Sequence, residues 1–365
     1  MKTPLAPGAA IGIMGGGQLG RMLAMAAARL GYRTVILEPQ AECPAAQVAG
    51  RHIAAPYDDN EALERLADAC DVVTYEFENV PVGAARLLNE RVPVFPPPEA
   101  LEFSQDRLEE KIFLNSTGLS TAPFFSVDKD ADVTRGLARF DGNGVLKTRR
   151  FGYDGKGQHV FRGASVEEAK GVCAAMGGRS LILEGFVPFE REISVIAVRG
   201  RDGSMASYDP AENIHRNGIL HRSIVPARIS PQTEEAARTA AFALMAALGY
   251  VGVIGVEFFV MADGSLIANE FAPRVHNSGH WTEAACRVSQ FEQHIRAVAG
   301  LPLGSTTRHA NCIMTNLLGR EQDEAPALLG EPDVVLHLYG KREARQGRKM
   351  GHYTRLFPLG DKSPA

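Results

Sequence analysis

The chain is poor in cysteine. Cys43, Cys70, Cys173, Cys286 and Cys312 are scattered over 365 residues with no CxxC among them. An odd, dispersed set excludes a disulfide framework or a structural zinc cluster as the organising device, and it fits a reduced cytoplasm. Charge of one sign is lacking too. With 39 Lys and Arg against 43 Asp and Glu the formal net charge is −4, which argues against non-specific nucleic-acid binding. The N-terminus has one lysine and then proline and glycine, without an apolar core or cleavage site, so no signal peptide is expected. The longest uncharged apolar run, 239–256, approaches membrane-span length. Gly249 splits it, however. Ser230 as N-cap and Pro231 at the first helical position make its first half the end of a soluble helix. Neither a membrane nor a nucleic acid is expected as a partner.

What is present is ordinary globular composition, 45% hydrophobic and 22% charged, in a chain long enough for two or three domains. Residues 255–281, GVEFFVMADGSLIANEFAPRVHNSGHW, carry the densest chemistry. Two apolar runs, 253–261 and 265–271, flank Asp263-Gly264, a hairpin signal in which both central residues need φ > 0. With those two as the loop, Ala262 pairs with Ser265, and Glu257 falls opposite Glu270 at a Cβ separation of roughly 4.5–5.5 Å. Their expected face neighbours, Phe259, Met261, Leu266 and Ala268, are apolar. Facing carboxylates either raise one pKa or take up a cation. A hard divalent ion beside nucleotide phosphates accepts oxygens from both. The plainer reading is two glutamates on an exposed hairpin, and a slip of one residue would put them on opposite faces.

Residues 10–38 read strand, glycine turn, helix, strand. Gly15, Gly17 and Gly20 fit GxGxxG, Leu19, Met22, Leu23, Ala26 and Leu30 make the helix's apolar stripe, and Glu38 sits where a ribose-binding acid belongs in a dinucleotide fold. Amides at a helix N-terminus bind any phosphate, so the motif indicates a fold more securely than a ligand. A buried strand at 71–75 leads into Glu76 and the rest of EFENVP. Another strand, 92–95, is stopped by Pro96, Pro97 and Pro98, and a charged helix follows at 105–114. Short strands then take over. The strand 144–147 ends in Lys147 and runs into RRFGYDGKGQ, where Gly152, Gly155 and Gly157 surround Lys156. Open backbone with lysines suits a polyphosphate, although GxxxxGK[ST] is absent and a plain hairpin tip is the alternative. A strand at 181–187 bends at Pro188, and 190–198 resumes one. Near the C-terminus KREARQGRKMGH groups Lys341, Arg342, Arg345, Arg348 and Lys349, either a solvated face or a phosphate site.

A Rossmann-like start, a glycine-loop lid and two facing carboxylates in the last domain together resemble the ATP-grasp superfamily. GGGQLGRM, EFENVP, GYDGKGQ, NEFAPRVHNSGHWT and GRKMGHYT, in that order across nearly the whole chain, look like the signatures of its branch that N-carboxylates an aminoimidazole ribonucleotide. The resemblance implies an α/β ATP-grasp fold. It divides the chain into a Rossmann-like N-terminal domain (1–100), a linking helix (101–120), a small α+β lid (121–190), an α+β domain carrying the metal-site hairpin (191–300) and a C-terminal subdomain with the basic cluster (301–365). It implies a ligase joining ATP, bicarbonate and 5-aminoimidazole ribonucleotide through carboxyphosphate in purine biosynthesis, with Mg²⁺ or Mn²⁺, in a cytoplasmic homodimer.

On matching positions, Glu257 and Glu270 become the metal ligands. The ATP contacts become Arg107, Lys147, Gly152, Tyr153, Asp154, Gly155, Lys156, Gly157, Gln158, Glu184, Gly185, Phe186, Val187, Glu192, His215, Asn269 and Glu270. Tyr153, Asp154, Arg274, His276, Asn277, Lys341 and Arg348, with Glu76 and the Gly15–Gly20 loop as weaker candidates, fall to the ribonucleotide. Arg274 and His276 are placed to hold bicarbonate or carboxyphosphate, and Asp154 to accept the amine proton. For His276 and His280 the alternative is a structural turn. The competing functions are a formate-dependent glycinamide ribonucleotide transformylase or another carboxylate–amine ligase, an NAD-dependent dehydrogenase, and a non-catalytic nucleotide-binding regulator.

Overall fold

The computed structural model describes residues 3–152 and 157–360, so the expected site residues Tyr153, Asp154, Gly155 and Lys156 lie outside the described residues. Its first sheet is parallel and contains β1 (Ala10–Met14), β2 (Arg33–Leu37), β3 (Arg51–Ile53) and β4 (Val72–Tyr75) in the order β3-β2-β1-β4. β1 and β4 are buried along their whole length, as a sheet covered on both faces requires. The helix Gln18–Arg29 buries Leu19, Met22, Leu23 and Ala27, while Ala26 and Leu30 pack at the margin of the core. The expected strand at 92–95 is reduced to one bridge, Val94 to Val73. Pro93 and Pro96 have no N–H to give, so the ladder cannot extend past it. Pro98 then opens a short helix, Pro98–Ser104, that the sequence reading passed over. The charged helix runs Arg107–Ser116, capped by Asp106, which accepts the Leu108 N–H at 3.0 Å.

The second sheet is antiparallel, with β5 (Phe124–Val127), β6 (Gly144–Thr148), β7 (Gln158–Phe161) and β8 (Leu181–Gly185) in the order β5-β8-β6-β7. The third begins with β9 (Arg191–Arg199), β10 (Met205–Ser207), β11 (Ala211–Arg216), β12 (Ile219–Val225) and β13 (Gly252–Val260). It continues with β14 (Leu266–Ala272), β15 (Asn311–Leu318), β16 (Val334–Leu338) and β17 (Lys349–Phe357). The order is β14-β13-β9-β11-β12-β15-β17-β16, with β10 paired to β9, so one sheet carries both the glutamate hairpin and the C-terminal strands. The Ala-rich helix Pro231–Ala247 starts at Ser230, whose hydroxyl accepts the Thr233 N–H at 3.1 Å. Among the described residues no helix is long and apolar enough to cross a membrane.

The β13–β14 hairpin reaches its expected pairing by an unexpected route. The loop has three residues, not two: the Met261 N–H donates to the Ser265 carbonyl at 2.9 Å, and of the loop residues only Gly264 has positive φ, +81°. Asp263 instead keeps ordinary φ and accepts the Ser265 N–H at 2.9 Å, an Asx-type turn. This shifts the pairing by one, so that Val260 faces Leu266 and Phe258 faces Ala268. A bulge at Asn269 shifts it back, and Glu257 lies opposite Glu270. The predicted face neighbours change accordingly. Phe259 faces Ile267, whereas Ala268 is buried with Phe258 in the core.

The free edge of β14 is covered by the charged helix and the residues after it. Ala268 N–H donates to the Ser120 carbonyl at 2.7 Å, and Phe271 N–H to Glu110 Oε1 at 2.8 Å. His294 joins the first sheet to the third. Its Nδ1 accepts the Val253 N–H at 3.1 Å, and its Nε2 lies 2.8 Å from Thr74 Oγ1.

Candidate active site

A cleft of about 770 Å³ is lined from the second and third sheets and, on the side of the first, by the helix residues Gln18 and Leu19 and by Glu78 and Asn79 after β4. It brings together twelve expected residues: Arg107, Lys147, Gly152, Gln158, Glu192, His215, Glu257, Asn269, Glu270, Arg274, His276 and Asn277.

Glu257 and Glu270 stand side by side on one face. Burial, then the charge of Glu270, raises the Glu257 pKa. Burial acts on Glu270 the same way, but Arg107 more than offsets it and holds that pKa down. Arg107 Nη1 is 3.0 Å from Glu270 Oε2, and its Nη2 donates to the Gly152 carbonyl at 3.3 Å. His215 Nδ1 is 2.9 Å from Glu192 Oε2, and although burial alone would lower its pKa, that partner raises it. Among the described residues no group of three or more His, Cys, Asp or Glu is placed to hold a metal alone. Two facing carboxylates do fit a hard divalent ion that draws its remaining oxygens from phosphate and water.

Glu184 does not line the cleft. Its carboxylate is buried beneath, with Oε2 at 3.0 Å from Lys147 Nζ and 3.2 Å from Lys111 Nζ. Burial pushes its pKa up, yet the two ammonium groups bring it down to about 2. Gly157, Gly185, Phe186 and Val187 also stay off the lining. Glu76 is withdrawn in another way. Its Oε1 accepts the Gly17 N–H at 2.7 Å and its Oε2 the Gly20 N–H at 2.9 Å. The glycine-loop amides that would take a dinucleotide's pyrophosphate are thus filled by a carboxylate of the chain. Glu38, where a ribose-binding acid was expected, accepts the Gly16 N–H at 2.9 Å and the Tyr57 hydroxyl at 2.5 Å. The Gly16, Gly17 and Gly20 amides of the loop are all bonded to carboxylates of the chain itself.

Arg274 is paired with Glu78, whose pKa burial would raise but which Arg274 brings down to about 2. Asn277 exchanges amide hydrogen bonds with Asn316 at 3.0 and 2.8 Å. His276 is held down to about 3 by burial, then by the charges of Arg274 and Lys349. His280 takes the structural role allowed for it: it is fully buried, with Nδ1 3.0 Å from Gln290 Nε2. Lys341 and Arg348 lie off the lining. Lys341 Nζ donates to the Lys349 carbonyl at 2.7 Å and Arg348 Nη1 to the Glu343 carbonyl at 3.2 Å. It is Lys349 that reaches the cleft.

Sequence reasoning missed Glu78, Glu110, Lys111 and the aromatic pair Phe189 and Phe259, stacked at 4.5 Å. For Glu110 and Lys111 a signal existed. Arg107, Glu110, Lys111 and Leu114 share one helix face, and the last three are buried, so charge stands where the pattern calls for apolar residues. For the aromatic pair there was none, since Phe259 in an alternating strand reads simply as core and Phe189 lies in the bend between β8 and β9.

Three family models match the chain: ribonucleotide synthetase preATP-grasp domain over 9–105, ATP-grasp domain over 112–291, and phosphoribosylaminoimidazole carboxylase C-terminal domain over 312–359. N5-carboxyaminoimidazole ribonucleotide synthase of Brucella melitensis is 63% identical over 98% of this chain and 99% of its own. The N5-carboxyaminoimidazole synthetase of Staphylococcus aureus, solved with ADP, superposes with a TM-score of 0.92 at 38% identity, over 98% of this chain and 95% of that one. The synthase of Aspergillus clavatus, solved with ADP and 5-aminoimidazole ribonucleotide, gives 0.90 at 31% identity, over 96% and 94%.

Proposed function

The chain belongs to the N5-carboxyaminoimidazole ribonucleotide synthase family of ATP-grasp ligases, and from this we propose that it couples ATP cleavage to N-carboxylation of 5-aminoimidazole ribonucleotide by bicarbonate in purine biosynthesis. The observation that carries the reading is the meeting of Glu257 and Glu270 with Arg107, Lys147, Arg274 and His276 in one cleft. Bicarbonate is a poor electrophile, because hydroxide would have to leave. Its oxygen attacks the γ-phosphorus, the bond to ADP breaks, and carboxyphosphate results. The amine then attacks the carboxyl carbon, phosphate departs, and the amine proton passes to a base, for which we propose Asp154. A magnesium or manganese ion between Glu257 and Glu270 would neutralise charge on the transferring phosphoryl group.

The chain's own groups position and shield. Arg107 and Lys147 bind phosphate oxygens. The glycine loop, Gly152 to Gln158 with Tyr153, Gly155, Lys156 and Gly157, closes over them and keeps water from carboxyphosphate. Gly185, Phe186 and Val187, beside Glu184, form the hinge against the base, and Glu192, His215 and Asn269 complete the nucleotide site. Arg274, His276 and Asn277 face the bicarbonate and the ribonucleotide, whose phosphate goes to Lys349 with Lys341 and Arg348 behind it. Glu76 serves the ribonucleotide indirectly, by fixing the glycine loop. In this division of labour 1–100 shapes the ribonucleotide end, 101–120 links, 121–190 closes, 191–300 carries the metal and 301–365 the phosphate site. The reading includes a cytoplasmic homodimer.

ATP hydrolysis in bicarbonate buffer with Mg²⁺ is expected to rise strongly with 5-aminoimidazole ribonucleotide, and carbon label from bicarbonate to enter an acid-labile product. Stimulation by glycinamide ribonucleotide and formate without label uptake would assign the chain to the transformylases instead.

A further inference from the structure

His276 sits where it does because Gly255 makes room for it: a Cβ at Gly255 would lie 2.6 Å from that of His276. Its backbone is gripped by one side chain. Gln290, fully buried, accepts the His276 N–H at 2.9 Å through Oε1 and donates to the His276 carbonyl at 2.7 Å through Nε2. With the backbone held on both sides, the direction in which the side chain leaves it is fixed.

The ring's proton is fixed as well. Nδ1 receives the Ser278 N–H at 3.4 Å and lies 2.8 Å from Ser278 Oγ. A backbone N–H can only donate, so Nδ1 is the accepting nitrogen. Ser194 Oγ donates to Ser278 Oγ at 2.7 Å, which leaves the Ser278 hydroxyl hydrogen to point at Nδ1. Both serines are buried, and Ser194 lies on β9 directly across from Glu257. Since the bond made by one ring nitrogen sets the state of the other, a neutral ring carries its proton on Nε2. Nε2 is 3.6 Å from Glu257 Oε1.

We propose that Ser278, backed by Ser194, is a positioning residue that fixes His276 as an Nε2–H donor aimed at the carboxylate and phosphate side of the cleft. A ring so held gives a hydrogen bond to an oxygen, whether of Glu257 or of the bicarbonate being activated. It takes no proton from the amine, because its accepting nitrogen is turned into the protein. The proposal rests on the function above for the donor's role, but not for the tautomer.

The test is a ¹⁵N spectrum of the nucleotide-free protein labelled at histidine, with His276→Gln to identify the resonances. A proton on Nε2 and a bare Nδ1 are expected at neutral pH. Ser278→Ala should blur that distinction and lower kcat roughly 10- to 100-fold, with KM for ATP unchanged. Ser194→Ala should give a smaller loss in the same direction. A proton on Nδ1 of wild-type His276, or a Ser278→Ala protein with unaltered tautomer and kcat, overturns the proposal while leaving ribonucleotide-stimulated turnover intact. The expected tautomer in a wild-type protein without that turnover overturns the functional reading, and the donor's catalytic role with it.

Discussion

Glu257 and Glu270 face each other, yet they are not equivalent. Glu270 has Arg107 at 3.0 Å, whereas among the described residues Glu257 has His276 Nε2 at 3.6 Å and the more distant charges of His215 and Lys349, and the two carboxylates repel. Glu257→Gln therefore removes repulsion and no strong partner. The metal-free protein carrying it should melt no lower than wild type. Glu270→Gln leaves the Arg107 guanidinium without its carboxylate and should cost roughly 1 kcal/mol, a modest figure because the Glu270 side chain is 39% exposed and solvent screens the pair. Both substitutions should abolish phosphoryl transfer, since each removes a charged oxygen donor from the proposed ion. Near-wild-type ATP turnover in either variant would remove that residue from the metal site.

At the level of elements, the hairpin shows what a sequence makes legible. Two apolar runs about Asp263-Gly264 were enough to identify β13 and β14, but the facing of Glu257 and Glu270, read from a two-residue loop, holds because two register shifts cancel. The loop length and the bulge at Asn269 were not readable, because a three-residue loop and a bulge shift the register by one in opposite senses and leave no trace in the pattern. The helix Arg107–Ser116 was legible as a helix, but its purpose depended on packing against β14. Its Lys111, 2% exposed, meets Glu184 at 3.2 Å and the Asn269 carbonyl at 3.4 Å. No local rule says which distant carboxylate a buried lysine will meet. Lys111→Met leaves Lys147 on Glu184 but strips one charge-assisted bond from a buried anion, a loss of about 1.5–3 kcal/mol. Urea denaturation should show it as a lower midpoint with unchanged slope. An unchanged midpoint would mean that Lys147 alone neutralises Glu184.

Across the whole molecule, buried imidazoles set the response to acid, and one of them, His294, joins the first sheet to the third. His276 and His294 are held down to about 3, the first by burial and then Arg274 and Lys349, the second by burial alone. His280 and His352 are depressed by burial and then by neighbouring histidines. In the unfolded chain all four titrate near 6.5. Below that pH the unfolded state binds protons that the folded state refuses, so stability is lost as pH falls, by up to about 1.4 kcal/mol per pH unit for each histidine. Three carboxyls and one imidazole oppose them. Burial and then the charge of Glu270 push Glu110 up to about 8 and also raise Glu257, burial raises Glu76, and against the effect of burial Glu192 raises His215, so the fold is relieved as these take up protons on acidification. His221 and His337, both lowered by burial, join the first four, and six imidazoles outweigh the opposing groups below about pH 6. Further down, Glu184 and Glu78, each buried but held to about 2 by Lys147 and Arg274 respectively, lose their contribution as pH drops from about 4.5. The urea midpoint of the nucleotide-free protein should therefore decline from about pH 6 to pH 5. A midpoint that holds or climbs over that interval would show that protons reach the imidazoles without unfolding, and that these groups are not sealed from water.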